Sequence, residues 1–259
     1  MEVVILCGGK GLRIKEAGEV NPKPMLEIGG KPILWHIMKM YASRGHNDFV
    51  LALGHRGAII KKFFLDYRFI SSDFTLNLGN GSTLMHSDVG EDWNVTCIDT
   101  GEDTMTAARI KRVSKNILGK TFMLTYGDGV ADIDINKLIE FHKSHGKLAT
   151  ISGVRPSGRF GEITCNDGLI THFNEKPQTA SGYINGGFMV MEKEAIDRYF
   201  SDDEGEALET GPLSRMTNDG QLMMFAHHGF WHPMDTLREY QYLNNLWGAK
   251  QAPWKIWEN

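Results

Sequence analysis

The chain has 259 residues, 41% of them hydrophobic and 23% charged, with a formal net charge of −4. That length and composition sustain one substantial core, and a single α/β domain with a small appended part is expected. The absence of a basic cluster argues against a nucleic-acid partner, and three separated cysteines (Cys7, Cys97 and Cys165) with no Cys-x-x-Cys pair argue against zinc and disulfides.

Residues 1–6 read as a short buried strand. The run Leu6-Cys7-Gly8-Gly9-Lys10-Gly11-Leu12-Arg13 follows, and its glycines admit positive φ and let backbone N–H groups approach a polyanion. Arg13 adds a forked cation. In Asn21-Pro22-Lys23-Pro24 each proline drives the preceding residue toward extended backbone, so Lys23 projects in a nearly fixed direction, which suits a reacting phosphate. A Walker loop requires Gly-Lys before Ser or Thr, whereas Lys10 precedes Gly11 and Leu12; a dinucleotide fingerprint requires a third glycine near position 14, where Ile14 sits.

Pro32, the apolar positions Ile33, Leu34, Ile37, Met38 and Tyr41, and the stop at Gly45 predict a helix, with a strand over 48–53. A second helical pattern covers 57–67. Residues 74–78, 83–86 and 94–99 alternate like short strands broken by Gly79-Asn80-Gly81, a hairpin-like insertion at about 70–95. A buried strand at 122–126, a helix at 134–146 and a strand at 149–154 follow. Residues 161–164, 169–174 and 183–191 form a strand-rich stretch expected to wall the substrate. This alternation predicts an α/β fold with a doubly wound, mainly parallel sheet and ligands at the carboxyl ends of its strands. The whole chain is expected to be one domain in two halves, 1–132 and 133–259. No apolar run reaches membrane-spanning length and no basic-then-apolar leader opens the chain, so a cytoplasmic protein away from the membrane is expected.

Several polar groups fall at those strand ends. In Tyr126-Gly127-Asp128-Gly129 the flanking glycines leave the Asp128 carboxylate open to a metal, although an Asp in a turn has the same appearance. A second carboxylate is needed, and Asp235 in Pro233-Met234-Asp235-Thr236 is the candidate. It also stands where a helix N-cap would, a role Thr236 can take instead. Glu175-Lys176-Pro177 offers a carboxylate for hydroxyls and an ammonium for phosphate, and Ile184-Asn185-Gly186-Gly187 offers an amide beside glycines that admit a ligand. Arg109 opens a helix after a polar strand end. Its fork matches the adjacent acceptors of cytosine, but a solvent-facing helix arginine beside Lys111 and Arg112 is the alternative. The histidines lack zinc-site spacing, and Trp247, Trp254 and Trp257 are expected in the core or a subunit contact.

The opening loop with its Lys-Pro resembles the signature of the sugar-1-phosphate nucleotidyltransferase family. Residues 31–40, 93–101, 126–132, 158–161, 184–188, 230–238 and 252–257 resemble the branch that uses CTP and α-D-glucose 1-phosphate to make CDP-glucose for dideoxysugars of O-antigen. The likeness runs nearly end to end. It implies that Leu6, Cys7, Gly8, Gly9, Lys10, Gly11, Leu12 and Arg13 hold the nucleotide, with Arg13 and Lys23 catalytic at the phosphates and Thr104 and Arg109 at the base. It implies Asp128 and Asp235 on Mg²⁺, with Asp128 also at the nucleotide, and Glu175, Lys176, Asn185 and Gly187 on the sugar phosphate. A homo-oligomer, a hexamer, is implied as well. Leu12 stands where the family usually has threonine, and Ile14 where it has leucine, so weaker nucleotide binding or an altered nucleotide preference is the expected consequence. Two rivals follow: the same reaction with another sugar 1-phosphate or with dTTP or UTP, and a non-catalytic sugar-nucleotide-binding protein.

Overall fold

A computed structural model describes residues 1–9, 21–87, 90–155, 162–166, 169–174 and 182–258. Its centre is a seven-stranded sheet of Val3–Cys7 (β1), Asp48–Leu53 (β2), Asn94–Asp99 (β3), Thr121–Tyr126 (β4), Ala149–Val154 (β5), Ile184–Glu192 (β6) and Leu222–Ala226 (β7). The spatial order is β7-β5-β6-β4-β1-β2-β3. Every adjacent pair is parallel except those of β6, which runs antiparallel to both β4 and β5. The expected mainly parallel sheet is therefore present.

Both faces of this sheet are covered, which explains why β1 reads as one apolar run and not as an alternation. Val3, Ile5 and Cys7 pack toward helix α1 (Ile33–Ala42), while Val4 and Leu6 pack toward helix α2 (Thr106–Val113). Helix α3 (Ile135–His145) lies on the α1 side, capped by the Asp134 carboxylate on the N–H groups of Asn136 and Lys137 and ended by Gly146 at φ +64°. Each buried Ile, Leu or Val in these layers contributes roughly 1.5–3 kcal/mol.

Two features depart from the sequence reading. Residues 94–99 were expected within the insertion, but they form the parallel edge strand β3, paired to β2 from Asp48↔Asn94 to Leu53↔Asp99. An edge strand is half covered, so it shows the same alternation as a hairpin strand. The insertion proper is a hairpin of Phe74–Leu76 against Thr83–Met85, and Phe74, Leu76 and Leu84 are exposed on it. The sequence reading also omitted β7, which lengthens the sheet beyond β5. No helix among the described residues is long and apolar enough to cross a membrane.

The aromatic tail folds inward. Trp254 is fully buried, stacked near Phe230 and Trp247, and with Trp257 it surrounds His36 of α1. Of the two places expected for Trp254, core or subunit contact, it occupies the core.

Candidate active site at the β1–β4 switch point

The chain leaves β1 for β2 and β3 on one side and returns to β4 on the other, so a crevice opens between the carboxyl ends of β1 and β4. Such a reversal is where open α/β sheets take their ligands. Gly8 and Gly9 follow β1, and Gly127 and Asp128 follow β4. Because β6 is antiparallel, its first residues, Asn185 to Gly187, arrive at this same end beside β4, Phe188 pairing with Thr125.

Lys23 enters from a single 3₁₀ turn, Lys23–Met25, with Pro22 extended before it and Pro24 within it. Lys23 itself opens the turn, where extended backbone was expected of a residue before proline; the Leu26 N–H on its carbonyl at 3.1 Å and the Met25 N–H on the Pro22 carbonyl hold the turn closed. Its ammonium donates to Asp128 Oδ2 at 2.6 Å and to Asp235 Oδ1. The lysine side chain is 14% exposed, and the carboxylates are 35% and 34% exposed. Burial by itself would lower the Lys23 pKa; the charges and hydrogen bonds of the two aspartates outweigh it and hold the pKa above the ordinary lysine value.

Asp235 reaches Asp128 across the sequence by sheet pairing. Trp231–Pro233 runs antiparallel to Gly129–Ala131, and the Met234 N–H then donates to the Asp128 carbonyl at 2.8 Å. Of the two roles open to Asp235, the cap is taken by Thr236. It caps helix α4 (Leu237–Gly248): its hydroxyl accepts from the Glu239 N–H, and the Glu239 carboxylate accepts from the N–H groups of Thr236 and Asp235. This capping box leaves the Asp235 carboxylate for the crevice.

Two carboxylate oxygens thus converge on one positive nitrogen, a stand-in for a cation. Among the described residues no group of three or more His, Cys, Asp or Glu side chains gathers to hold a metal, here or elsewhere. Two carboxylates suit a hard divalent ion that draws its remaining ligands from water and phosphate oxygens.

Next to these charges lies a small cleft lined by Thr125, Tyr126, Asp128, Asn185, Gly186, Gly187, Phe188 and Trp231. The Trp231 indole donates to the Gly186 carbonyl at 2.7 Å, and the Tyr126 phenol donates to Glu209. Burial first, then Glu209, pushes the Tyr126 pKa up, so this phenol is a neutral donor. Gly187 has φ +82°, and a Cβ there would stand 2.7 Å from the Tyr126 ring, so the turn requires glycine. Asn185 Oδ1 accepts the Gly187 N–H at 2.9 Å, fixing that turn. Tyr126, Glu209 and Trp231 had not been singled out as site residues. Aromatic and acidic residues carry no spacing signal; β4 brings Tyr126 here, the pairing with 129–131 brings Trp231, and the helical turn Glu209–Leu213 brings Glu209.

Arg109 stands otherwise than expected. It is 4% exposed, and its terminal nitrogens donate to five oxygens: Leu53 O, Thr100 Oγ1 and Gly101 O from Nη1, and Gly8 O and Glu102 O from Nη2. Neither an open fork for a base nor a solvent-facing helix arginine describes this guanidinium; it ties together the chain ends that follow β1, β2 and β3. Gly8 is glycine for the same reason, since a Cβ there would lie 2.3 Å from the Arg109 Cζ. Thr104 is buried too, its hydroxyl accepting from Arg112 at 2.7 Å. Helix α2 cannot be read from sequence as turning Arg109 inward, because arginine carries no periodic burial signal.

Lys10, Gly11, Leu12, Arg13, Glu175 and Lys176 lie outside the described residues. Leu6 and Cys7 end β1 with their side chains buried, so they reach the crevice through backbone. A larger cavity of about 590 Å³ lies away from these charges, between residues 61–68 and 90–97, with Phe64, Tyr67, Trp93 and Val95 in its wall. Its wall mixes these apolar groups with Lys61, Arg68 and Glu91, and it lies apart from the cluster of Lys23, Asp128 and Asp235, so volume alone does not select the site.

The Nucleotidyl transferase family matches residues 2–245 of the chain. The chain belongs to that family. It is 47% identical over 259 residues, the full length of both chains, to the glucose-1-phosphate cytidylyltransferase of Salmonella typhimurium (strain LT2). Among solved structures it resembles HddC from Yersinia pseudotuberculosis, with TM-score 0.69 and 25% identity over 95% of this chain and 99% of that one. The inositol-1-phosphate CTP transferase of T. maritima shares the fold, with TM-score 0.65 and 16% identity over 95% of each chain.

Proposed function

We propose that the chain transfers the cytidylyl group of CTP to α-D-glucose 1-phosphate, giving CDP-glucose and pyrophosphate, as a step toward dideoxysugars of O-antigen. The full-length identity of 47% to a glucose-1-phosphate cytidylyltransferase carries the choice of substrates. Convergence of Lys23, Asp128 and Asp235 at the switch point supports the chemistry.

A phosphate oxygen of the sugar phosphate attacks the α-phosphorus of CTP in line. The new bond is that oxygen to the α-phosphorus; the bond that breaks joins the α-phosphorus to the bridging oxygen, which leaves with pyrophosphate. The attacking phosphate is already anionic, so no general base is needed and catalysis rests on alignment and charge. Lys23 and Arg13 neutralise the phosphates. Asp128 and Asp235 would hold Mg²⁺, which when bound supplies positive charge at the triphosphate. The backbone of residues 6–12 would cradle the nucleotide, with Thr104 and Arg109 holding the walls beside the base. Asn185 and Gly187, with Glu175 and Lys176, would receive the sugar phosphate. The exposed Phe74, Leu76 and Leu84 of the insertion hairpin support a homo-oligomer, since an isolated two-stranded hairpin is marginal in water.

The test is pyrophosphate release from a grid of CTP, dTTP and UTP against glucose 1-phosphate and a heptose 1-phosphate, with Mg²⁺. Release confined to CTP with glucose 1-phosphate is expected. Preference for another pair would reassign the substrates, and no release from any pair would favour a binding protein.

A further inference from the structure

The Lys23 ammonium does more in this fold than wait for a phosphate. It sits 2.6 Å from Asp128 Oδ2 and also on Asp235 Oδ1, so two of its three donors are spent on the carboxylates that would receive a divalent cation. The lone pairs that accept from an ammonium are those that would coordinate a metal, and one oxygen cannot serve both at full strength. We propose that Lys23 is the internal counter-ion of this cation site: it holds Asp128 and Asp235 together in the substrate-free protein, competes with the divalent cation for their oxygens, and is released toward the phosphates when the cation takes its place. The inference rests on Asp128 and Asp235 being the cation's ligands, as proposed above.

Three observations support the exchange. The carboxylates come from distant parts of the chain, with sequence separations of 105 and 212 residues from Lys23; they would repel one another across a crevice two-thirds closed to solvent without a positive charge between them. The backbone on either side of Lys23 is held by Pro22 and Pro24 and by the Leu26 N–H on the Lys23 carbonyl at 3.1 Å. Movement therefore belongs to the flexible four-carbon stem and not to the main chain. Charge accounting agrees. Two carboxylates and one ammonium leave the site at −1, and a divalent ion in place of the ammonium brings it to zero while a full positive charge becomes available to the triphosphate. Nucleotide and cation should then bind with positive coupling, since each draws Lys23 away from the other's obstruction.

Lys23→Met keeps an unbranched flexible stem, one atom shorter, and removes the charge. Mn²⁺ binding to the substrate-free protein, read by electron paramagnetic resonance, should be about tenfold tighter in Lys23→Met than in the natural chain, the factor expected when the open state is populated about one-tenth of the time. Lys23→Arg retains a counter-ion and should bind Mn²⁺ no more tightly than the natural chain. Equal or weaker binding by Lys23→Met overturns the inference. Should Lys23→Met be unstable alone, the Mn²⁺-induced rise in Tm replaces the direct titration and must be larger in that variant than in the natural chain. Adding Asp128→Asn separates the two readings: tight Mn²⁺ binding that survives in Lys23→Met with Asp128→Asn removes Asp128 from the cation site, whatever Lys23 does. Absence of Mn²⁺ binding from every form overturns both.

Discussion

Two cations stand at the carboxyl ends of the same sheet and do opposite things. Lys23 sits on one side of the switch point with its charge facing two carboxylates in a crevice, whereas Arg109 sits on the other with its charge buried against uncharged oxygens of the chain itself. The lysine is a strongly hydrated point charge on a long stem and can be exchanged; the guanidinium is planar, weakly hydrated and rigid, and once it has five acceptors it becomes part of the frame. A positive residue near a phosphate site is therefore not by itself a ligand residue. What its donors already hold decides.

The largest effect expected from breaking this contrast is at Lys23. Lys23→Ala should lower kcat by about two to three orders of magnitude, the loss seen when a charge-stabilising donor is removed. Pyrophosphate release under saturating substrates measures it, and near-normal turnover would remove Lys23 from the reaction. Asp128→Asn and Asp235→Asn come next, with a fall in activity of about a hundredfold that added Mg²⁺ only partly offsets. A metal titration that stays unchanged in either variant would take that carboxylate out of the cation site.

Arg109 should respond in a different quantity. Arg109→Ala strands several buried carbonyls at about 1–3 kcal/mol each, so an overall loss of stability of roughly 3–5 kcal/mol is expected in urea unfolding. Arg109→Lys, with three donors for five acceptors, should lose less and raise KM for the nucleotide more than it lowers kcat. Unchanged stability with nucleotide binding abolished would return Arg109 to the role of direct base reader.

The smallest effect sharpens the comparison with a buried base that carries no charge. His36 has no exposed surface and lies among Trp35, Trp247, Trp254 and Trp257. One ring nitrogen pairs with the Ile28 carbonyl at 2.9 Å. Burial, only partly opposed by backbone hydrogen bonds, lowers its pKa to about 4 from 6.5. The unfolded chain therefore binds a proton that the folded chain refuses between these values, and stability contributed by neutral His36 is lost as pH falls from about 6.5 toward about 4. The loss amounts to about 3 kcal/mol at most. Urea unfolding against pH, compared with His36→Gln, measures it; an equal pH dependence in both proteins would mean that His36 does not supply it.

How far this crevice could be read in advance varied with the residue. Lys23 was legible because two prolines restrain its backbone whatever surrounds them. Asp128 was legible as a polar residue following a buried strand. Asp235 was named but left between two roles, because a cap and a ligand are the same residue in sequence until Thr236 and Glu239 are seen to close their own box. Arg109 was expected at the base from its fork and Thr104 by resemblance, and both are buried in the frame. Tyr126, Glu209 and Trp231 had no local signal.

Local stereochemistry and hydrophobic pattern were enough to determine the α/β alternation, the buried strand β1, the helix after Pro32 and the strand before Asp128, since each depends on neighbours within a few residues. Tertiary structure alone decided that 94–99 joins the main sheet, that β6 turns antiparallel and brings Asn185 and Gly187 to the crevice, and that Asp235 meets Lys23 across 212 residues. The physical reason is range. Backbone preference and side-chain periodicity act along the chain, while a salt bridge, a buried guanidinium or a strand register is chosen by whichever distant surface the fold brings within a few ångströms.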